Sequence, residues 1–317
     1  MHPYATPAYA KTLAHVGRAL YVPAWGTCVI ARDWHGRAED AVGPYPISCL
    51  ASDSDLEMGL EDIRKAGFVS VTLVVDGLLG PPISRLRNTF TVARPFKTHY
   101  LVDEAIGAYQ PSKHHRHELR RAAQRGVEVR IVPLLDILDA WIGLYDGLVS
   151  RHRIAGVQRF PRESFEALAN CEGLSAIAAF IGEELVSCHL WFQYKEFAWS
   201  HLAATNALGY ASGAAYAVYD HSIRNFSGHL INLGGGAGIG DAADDGLARF
   251  KAGFSNRTHS AYLLGSVLDP ATYQALCIER RGVDAGDYFP AYRAPFSSGE
   301  DDEHHRQECN AAGSRAG

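Results

Sequence analysis

Residues 174–205 read LSAIAAFIGEELVSCHLWFQYKEFAWSHLAAT, and this stretch decides the fold. It contains three strand-like runs, Leu174–Ile181, Leu185–Tyr194 and Phe197–Ala204, joined by Gly182-Glu183 and Lys195-Glu196. Joints that short turn the chain straight back, so the three runs form an antiparallel meander. Upstream, VEVRIV (127–132) alternates like a strand and Pro133 ends it. Leu134, Ile137, Leu138, Trp141, Ile142, Tyr145, Leu148 and Val149 then recur at helical spacing, predicting a helix to about Arg151. A shorter helix follows over Pro161–Ala169. Downstream of the meander come the turn Asn206–Gly209, a helix from about Ser212 to Phe226 and a short strand at His229–Leu233. A short helix at Ala243–Ala252 and a strand at His259–Val267 complete the unit. Asp269-Pro270 caps a last helix running to about Arg281. The order β-α-α-β-β-β-α-β-α-β predicts an α+β fold.

The first half offers a helix at Asp55–Ala66 and strands at Phe68–Val75 and Thr98–Val102. Between the halves lies SKHHRHELRRAAQRG (112–126), a basic helix capped by Ser112 and closed by Gly126. The chain of 317 residues divides into a first domain over 1–108, a second over 109–296, and a polar tail over 297–317. That tail carries five acidic residues against two arginines and has few apolar anchors, so disorder is expected there.

With 47% hydrophobic and 21% charged residues the chain is globular in composition, not fibrous or disordered. No run approaches the roughly 20 apolar residues of a membrane span, and the N-terminus lacks a signal-peptide core, so a cytoplasmic location is expected. Six cysteines are scattered without a CxxC pair, which reads as reduced thiols. A net charge of −5 argues against an overall basic nucleic-acid binder but leaves room for a local basic groove.

LGGGAGIG (233–240) follows a strand but has no three glycines at GxGxxG offsets, so a dinucleotide cofactor is not indicated. A Gly-rich loop that lets the backbone approach a ligand is the better reading, with Gly235 and Gly236 at its centre. GYASG (209–213) is out of register for a nucleophile elbow. Ser212 reads instead as a helix N-cap, and the N–H groups there, with Gly213, suit a phosphate or an oxyanion. HHRH (114–117) lacks acidic or cysteine partners at ligand spacing, so no metal is expected. Lys113, Arg116 and Arg120 on that helix read as a solvated face or as phosphate contacts. His189 and His201 sit on neighbouring meander strands and read as sharing a face with Trp191 and Trp199, as core groups or as acid–base residues. In DGLARFKAGFS (245–255), Phe250 and Phe254 are spaced to bury, which leaves Lys251 off the core face and free to meet a ligand.

At these stretches the chain resembles the FemABX-like branch of the GNAT superfamily. The resemblance runs through KTHYLVD (97–103), the 112–129 segment, FAWSHLAAT (197–205), GYASGAA (209–215) and NLGGG…DGLARFKAGFS (232–255). It covers roughly residues 95–265, and its specificity lies in the order and spacing of the motifs. It implies two GNAT-like domains in tandem, mixed central sheets flanked by helices, and an acceptor cleft between the domains. Family members move an aminoacyl group from aminoacyl-tRNA, or an acyl group from coenzyme A, onto an amine.

The family's FK pair falls on Phe250 and Lys251, and in some members this lysine is associated with the tRNA end and with charge at the reacting ester. The usual Asp-Leu-Gly-Gly reads Asn232-Leu233-Gly234-Gly235 here, which puts in doubt any role that depends on that carboxylate. The coiled-coil arm of some members has no counterpart. Asn206–Ala211 is a degraded form of the superfamily's phosphate loop, since it begins with Asn rather than Gln or Arg.

The resulting expectation is a monomeric aminoacyltransferase with aminoacyl-tRNA as co-substrate and no cofactor. Its acceptor would be a peptide or a peptidoglycan-precursor-like amine, with peptide natural-product assembly as one setting. Lys251, His189 and His201 are its expected catalytic residues. Donor contacts would come from Phe250, Ser212, Gly213, Asn206, Gly235 and Gly236. An N-acyltransferase using acetyl-CoA or another acyl-CoA is the alternative, and a non-catalytic binding protein on a decayed transferase scaffold is the second.

Overall fold

The computed structural model describes residues 1–238, 245–280 and 283–295. The chain opens with a short helix, α1 (Pro7–Lys11), followed by β1 (Arg18–Val22), β2 (Thr27–Trp34) and β3 (Ala38–Val42). Next come α2 (Leu56–Lys65), β4 (Ser70–Val75), α3 (Ile83–Thr89) and β5 (Val92–Val102). The basic helix α4 (Lys113–Gln124) leads into β6 (Val127–Val132), α5 (Leu138–His152) and α6 (Arg162–Ala169). The meander is β7 (Leu174–Ile181), β8 (Glu184–Tyr194) and β9 (Phe197–Thr205). After it come α7 (Ala207–Ser212), α8 (Ala214–Asn225), β10 (Leu230–Asn232), α9 (Gly246–Ala252), β11 (Arg257–Val267) and α10 (Pro270–Glu279). This is the α+β architecture expected, with one mixed sheet flanked by helices.

All eleven strands belong to that sheet, in the order β1-β2-β3-β4-β11-β5-β10-β9-β8-β7-β6. Pairings are antiparallel except β3 with β4 and β10 with β9. The late strand β11 lies between β4 and β5 and pairs with both, so the end of the chain closes the sheet of the beginning. The expected boundary at 108/109 falls in the connection between β5 and α4, while β11 crosses back over it. The tail expected over 297–317 lies outside the described residues.

Local signals explain most elements. Asp55 caps α2 by accepting from Met58 N, Ser112 caps α4 by accepting from His115 N, and Asp269 caps α10. β5 starts six residues before the expected Thr98, and Pro95 within it lies opposite Tyr262 beside a register shift. The β1–β3 antiparallel unit has no counterpart among the expected strands. Its central strand buries Thr27 to Ala31 consecutively and so shows no alternation.

Ser212 corrects another expectation. It does not cap the long helix. It ends α7, its hydroxyl donating to Gly209 O at 3.1 Å, and Gly213 (φ +82°) breaks the chain before α8 starts at Ala214.

Two apolar layers sandwich the second half of the sheet. One holds Tyr4, Tyr9, Trp141, Phe165, Phe192 and Trp199, so the N-terminal residues pack against the meander. The other holds Trp191, Val218, Tyr219, Phe226 and Phe254 beneath α8. A third cluster, around Trp25, Ile63, Phe68 and Leu264, fills the first half. Buried aromatics such as these each remove roughly 150–250 Å² from water and dominate the cohesion of the layers.

Candidate functional site

Where the two halves of the sheet meet, five strands deliver polar side chains to one place. Asp76 directly follows β4 and is 4% exposed. Its Oδ2 accepts from Trp199 Nε1 at 2.8 Å and Asn232 Nδ2 at 3.2 Å, and its Oδ1 accepts from Leu78 N at 3.1 Å. Burial raises the Asp76 pKa, and the three N–H donors pull it back by favouring the anion.

Asn232 spends every polar atom here. Its second Nδ2 hydrogen goes to His99 Nδ1 at 3.1 Å, and its Oδ1 accepts from Gly234 N at 2.8 Å. His99 and His259 are cross-strand neighbours, and His259 Nε2 donates to the Asp76 carbonyl at 2.6 Å. An aspartate at 232 could not donate to Asp76 and His99. The Asp76 carboxylate stands one hydrogen bond from Asn232.

Past Asn232 the Gly-rich loop is held by two lysines. Lys251 Nζ donates to Gly235 O at 2.6 Å, and Lys97 Nζ donates to Gly236 O at 2.7 Å. Asp245, the N-cap of α9, also accepts from Ala237 N. An added Cβ on Gly235 would lie 3.2 Å from Lys97 Cδ and Thr98 O, and one on Gly236 would lie 1.9 Å from Asp245 Oδ2. These glycines thus let the loop pack on its own chain, and their carbonyls meet lysines.

Lys251 is buried, at 7% exposure, which corrects the expectation of a side chain off the core. Phe250 and Phe254 do anchor α9, through ring contacts with Tyr216, Tyr219 and His115. The face left over for Lys251 is roofed by the Gly-rich loop. Burial lowers the Lys251 pKa from 10.5 to about 7, with repulsion from Lys97 adding to the shift and Asp245 opposing it. His115 locks the same helix by bonding Phe250 O at 2.8 Å.

The two histidines of the meander do not meet. A register shift between Leu190 and Trp191 inserts an extra residue in β9, which turns His201 and Leu202 onto one face together. His189 packs at a tilt against Trp191 and Tyr219 beneath α8, with Nε2 2.8 Å from Ser200 Oγ. His201 lies on the opposite face, in the layer of Phe192 and Trp199, with Nδ1 3.2 Å from the Tyr4 hydroxyl. Burial lowers both pKa values, that of His201 to about 3, so both rings are neutral. The Lys251 charge also lowers that of His189.

The remaining expected contacts are spread out. Asn206 caps α7, accepting from Gly209 N at 2.8 Å and donating to Glu184 at 3.1 Å. Tyr210 N and Gly213 N are likewise taken by backbone carbonyls, within the short helix that residues 207–212 form. Gly213 approaches α4, where an added Cβ would lie 3.2 Å from Glu118 O. Lys113, Arg116 and Arg120 form an exposed stripe on α4, opposite the buried His115, Glu118 and Ala122.

Sequence reading missed Asp76, His99, His259 and Lys97 as site residues. Asp76 had one legible signal, a carboxylate directly after an apolar strand and before Gly77. Two open grooves lie elsewhere. One of about 660 Å³ is lined by Arg130, Asp136, Arg162 and Phe180, and one of about 340 Å³ by Tyr109 and Arg224. Neither contains any residue of the seam cluster. Convergent buried polar groups, and not open volume, mark the site. Among the described residues no group of three or more His, Cys, Asp or Glu could hold a metal ion, and no helix is long and apolar enough to cross a membrane.

No family model matches the chain, and no curated protein matches it. Solved structures do. A C-terminal DUF2156 domain from Agrobacterium fabrum superposes with a TM-score of 0.60 at 18% identity, covering 86% of this chain and 90% of its own. FemX gives a TM-score of 0.57 at 11% identity, covering 86% and 95%. L-PGS from Bacillus licheniformis gives 0.51 at 15% identity, covering 86% and 95%. The fold is therefore the FemABX-like one that the sequence motifs resemble.

Proposed function

We propose that this chain is an aminoacyltransferase, which moves an amino acid from aminoacyl-tRNA to a free amine of a peptide or peptidoglycan-precursor-like acceptor. The observation that carries the reading is the pair of lysine ammonium groups converging on the Gly235 and Gly236 carbonyls, one of them buried. Two cations brought together in a poorly solvated place repel each other, and an anion beside them relieves that repulsion. The terminal phosphate of a tRNA, or the oxyanion of the reacting ester, is such an anion.

In the reaction the acceptor nitrogen bonds to the ester carbon and the ester C–O bond breaks. The proton lost by the amine balances the one gained by the leaving hydroxyl. Lys251, charged once the anion is present, stabilises the developing oxyanion. Neither histidine of the meander fits as the base, because burial lowers the pKa of each and so makes each a weak proton acceptor. The exposed stripe Lys113, Arg116 and Arg120 supplies further phosphate contacts. Asn206 stands where the superfamily's phosphate loop begins with Gln or Arg, and this degraded form favours tRNA over coenzyme A as donor.

The test is donor binding followed by single-turnover transfer. Purified protein is expected to co-elute with tRNA, and Lys251→Ala is expected to slow transfer by about 10²–10³ at saturating donor. A thermal shift with acetyl-CoA and no tRNA binding would replace this reading with the acyl-CoA one. Binding of neither donor would leave a binding protein on a transferase scaffold.

A further inference from the structure

The basic helix α4 and the lysine helix α9 meet at one side chain. His115 points inward from α4 and is 4% exposed, while Lys113 and Arg116 on either side of it lie on the exposed face. Both of its ring nitrogens are used. Nε2 lies 2.8 Å from Phe250 O, and Nδ1 lies 2.8 Å from Ser112 Oγ. A carbonyl can only accept, so Nε2 carries the proton, and in the neutral ring Nδ1 then accepts from the Ser112 hydroxyl. Burial lowers the His115 pKa, which favours that neutral form.

The Phe250 carbonyl belongs to the last turn of α9, where a helix leaves acceptors open. Phe254 N turns to Lys251 O at 3.0 Å rather than to Phe250 O, and His115 takes the carbonyl instead. Ser112 N donates to Gly253 O at 2.8 Å, a second bond between the same two segments. The imidazole also meets Phe254 edge-on, with ring centroids 4.3 Å apart, and leaves no room for a side chain at Gly253, where an added Cβ would stand 2.1 Å from Cε1. A helix of seven residues has little cohesion of its own, so α9 sits where these contacts hold it. Lys251 directly follows Phe250 and moves with it.

We propose that His115 is a positioning residue, which fixes the Lys251 ammonium relative to the phosphate contacts of α4. The proposal rests on the transfer reading for its reaction, in which Lys113, Arg116 and Arg120 hold donor phosphates while Lys251 meets the reacting ester. A donor that engages both must find them at one separation, and a displacement of about 1 Å can cost on the order of 10²-fold in rate. His115 acts on that separation through Phe250 O. Its loss is therefore expected to slow the reaction and to spare donor affinity.

The test compares His115→Asn with His115→Gln, which both remove the ring and its packing. The Gln amide nitrogen stands where Nε2 does and reaches Phe250 O, whereas the Asn nitrogen stands where Nδ1 does and reaches only Ser112. The first readout needs no donor. It is the pH titration of the Lys251 ε-carbon resonance in lysine-labelled protein, assigned by its loss in Lys251→Met. His115→Gln is expected to keep the native midpoint of about 7. His115→Asn is expected to raise it by about one unit or more toward 10.5, as α9 loosens and water reaches the ammonium. Lys97, Asp245 and His189, whose charges couple to Lys251, are the same in both variants.

The second readout is transfer at saturating aminoacyl-tRNA. His115→Asn is expected to be slower than His115→Gln by about tenfold or more, with equal tRNA affinity. Equal midpoints in the two folded variants overturn the proposal, and so does a rate difference that disappears at saturation. If loss of the ring unfolds both, His115→Phe, which keeps a ring and drops both bonds, is compared with the native chain, and an unshifted Lys251 midpoint overturns the proposal. A native chain that neither binds tRNA nor transfers overturns the transfer reading, while the titration still reports whether His115 places Lys251.

Discussion

Replacing Lys251 with methionine keeps the unbranched stem and removes the charge, and the structure fixes the sign of the outcome. In the folded chain the Lys251 pKa falls from 10.5 to about 7. A tenfold change in proton affinity is worth about 1.4 kcal/mol, so below pH 7 the folded state carries a penalty on the order of 5 kcal/mol. Between the two pKa values the unfolded chain binds more protons than the folded one, so native stability rises with pH through that window. The hydrogen bond to Gly235 O offsets part of the penalty, by about 1.5–3 kcal/mol for a charged donor.

Lys251→Met should therefore be more stable than the native chain by about 2–3 kcal/mol at pH 6. In melting temperature that is a rise of roughly 4–12 °C for a chain of this size. The advantage should shrink with pH and vanish near about pH 9, where the remaining penalty equals the hydrogen bond that methionine cannot make. The assay is thermal unfolding of both proteins at several pH values, with single-turnover transfer measured on the same preparations. A stability difference that is the same at pH 6 and pH 9 would refute the reasoning, because it would mean that Lys251 titrates as an exposed lysine. A variant that is more stable yet slow in transfer identifies Lys251 as a residue held at the expense of stability for its charge.

Reversing Lys113, Arg116 and Arg120 to glutamate should leave the melting temperature nearly unchanged, since all three are exposed. The same variant should weaken tRNA binding and flatten the log–log dependence of affinity on salt, by a slope of about one for each phosphate no longer engaged, as read from binding isotherms at several salt concentrations. Gly253→Ala places a Cβ 2.1 Å from His115 Cε1 and should destabilise by about 1–3 kcal/mol in denaturant unfolding, by forcing α9 off α4. Asp245→Ala removes the cap of α9 and should cost about 1 kcal/mol in the same assay. Unchanged stability would show that the loop at Ala237 does not depend on this carboxylate. Trp199→Phe leaves Asp76 one donor short and should cost about 1–3 kcal/mol, visible as a lower denaturant midpoint.

Local chemistry made most of the second half legible. Strand period, short joints and caps such as Ser112 and Asp269 act over a few residues, so the meander, the basic helix α4 and the helix after Asp269 stand where the sequence puts them. The packing of Phe250 and Phe254 followed from their spacing in the same way. The environment of Lys251 did not, because the surface that roofs it comes from the loop after β10, and helical spacing says only which face a residue occupies. The faces of His189 and His201 were unreadable for a related reason. A single inserted residue in β9 inverts the alternation, and the insertion is defined only by the register against β8.

What the sequence determined by itself is the order of elements, the apolar faces and the lysine beside a Gly-rich loop, all set by interactions within one turn or one hairpin. Only the tertiary structure decided which carboxylate serves the seam. Asp76 and Asn232 are 156 residues apart in the chain, and β11 must thread between β4 and β5 before His259 and His99 pair. Hydrogen bonds between residues so distant leave no periodic trace, because each partner keeps the spacing of its own strand while the contact is set by the pairing of the whole sheet.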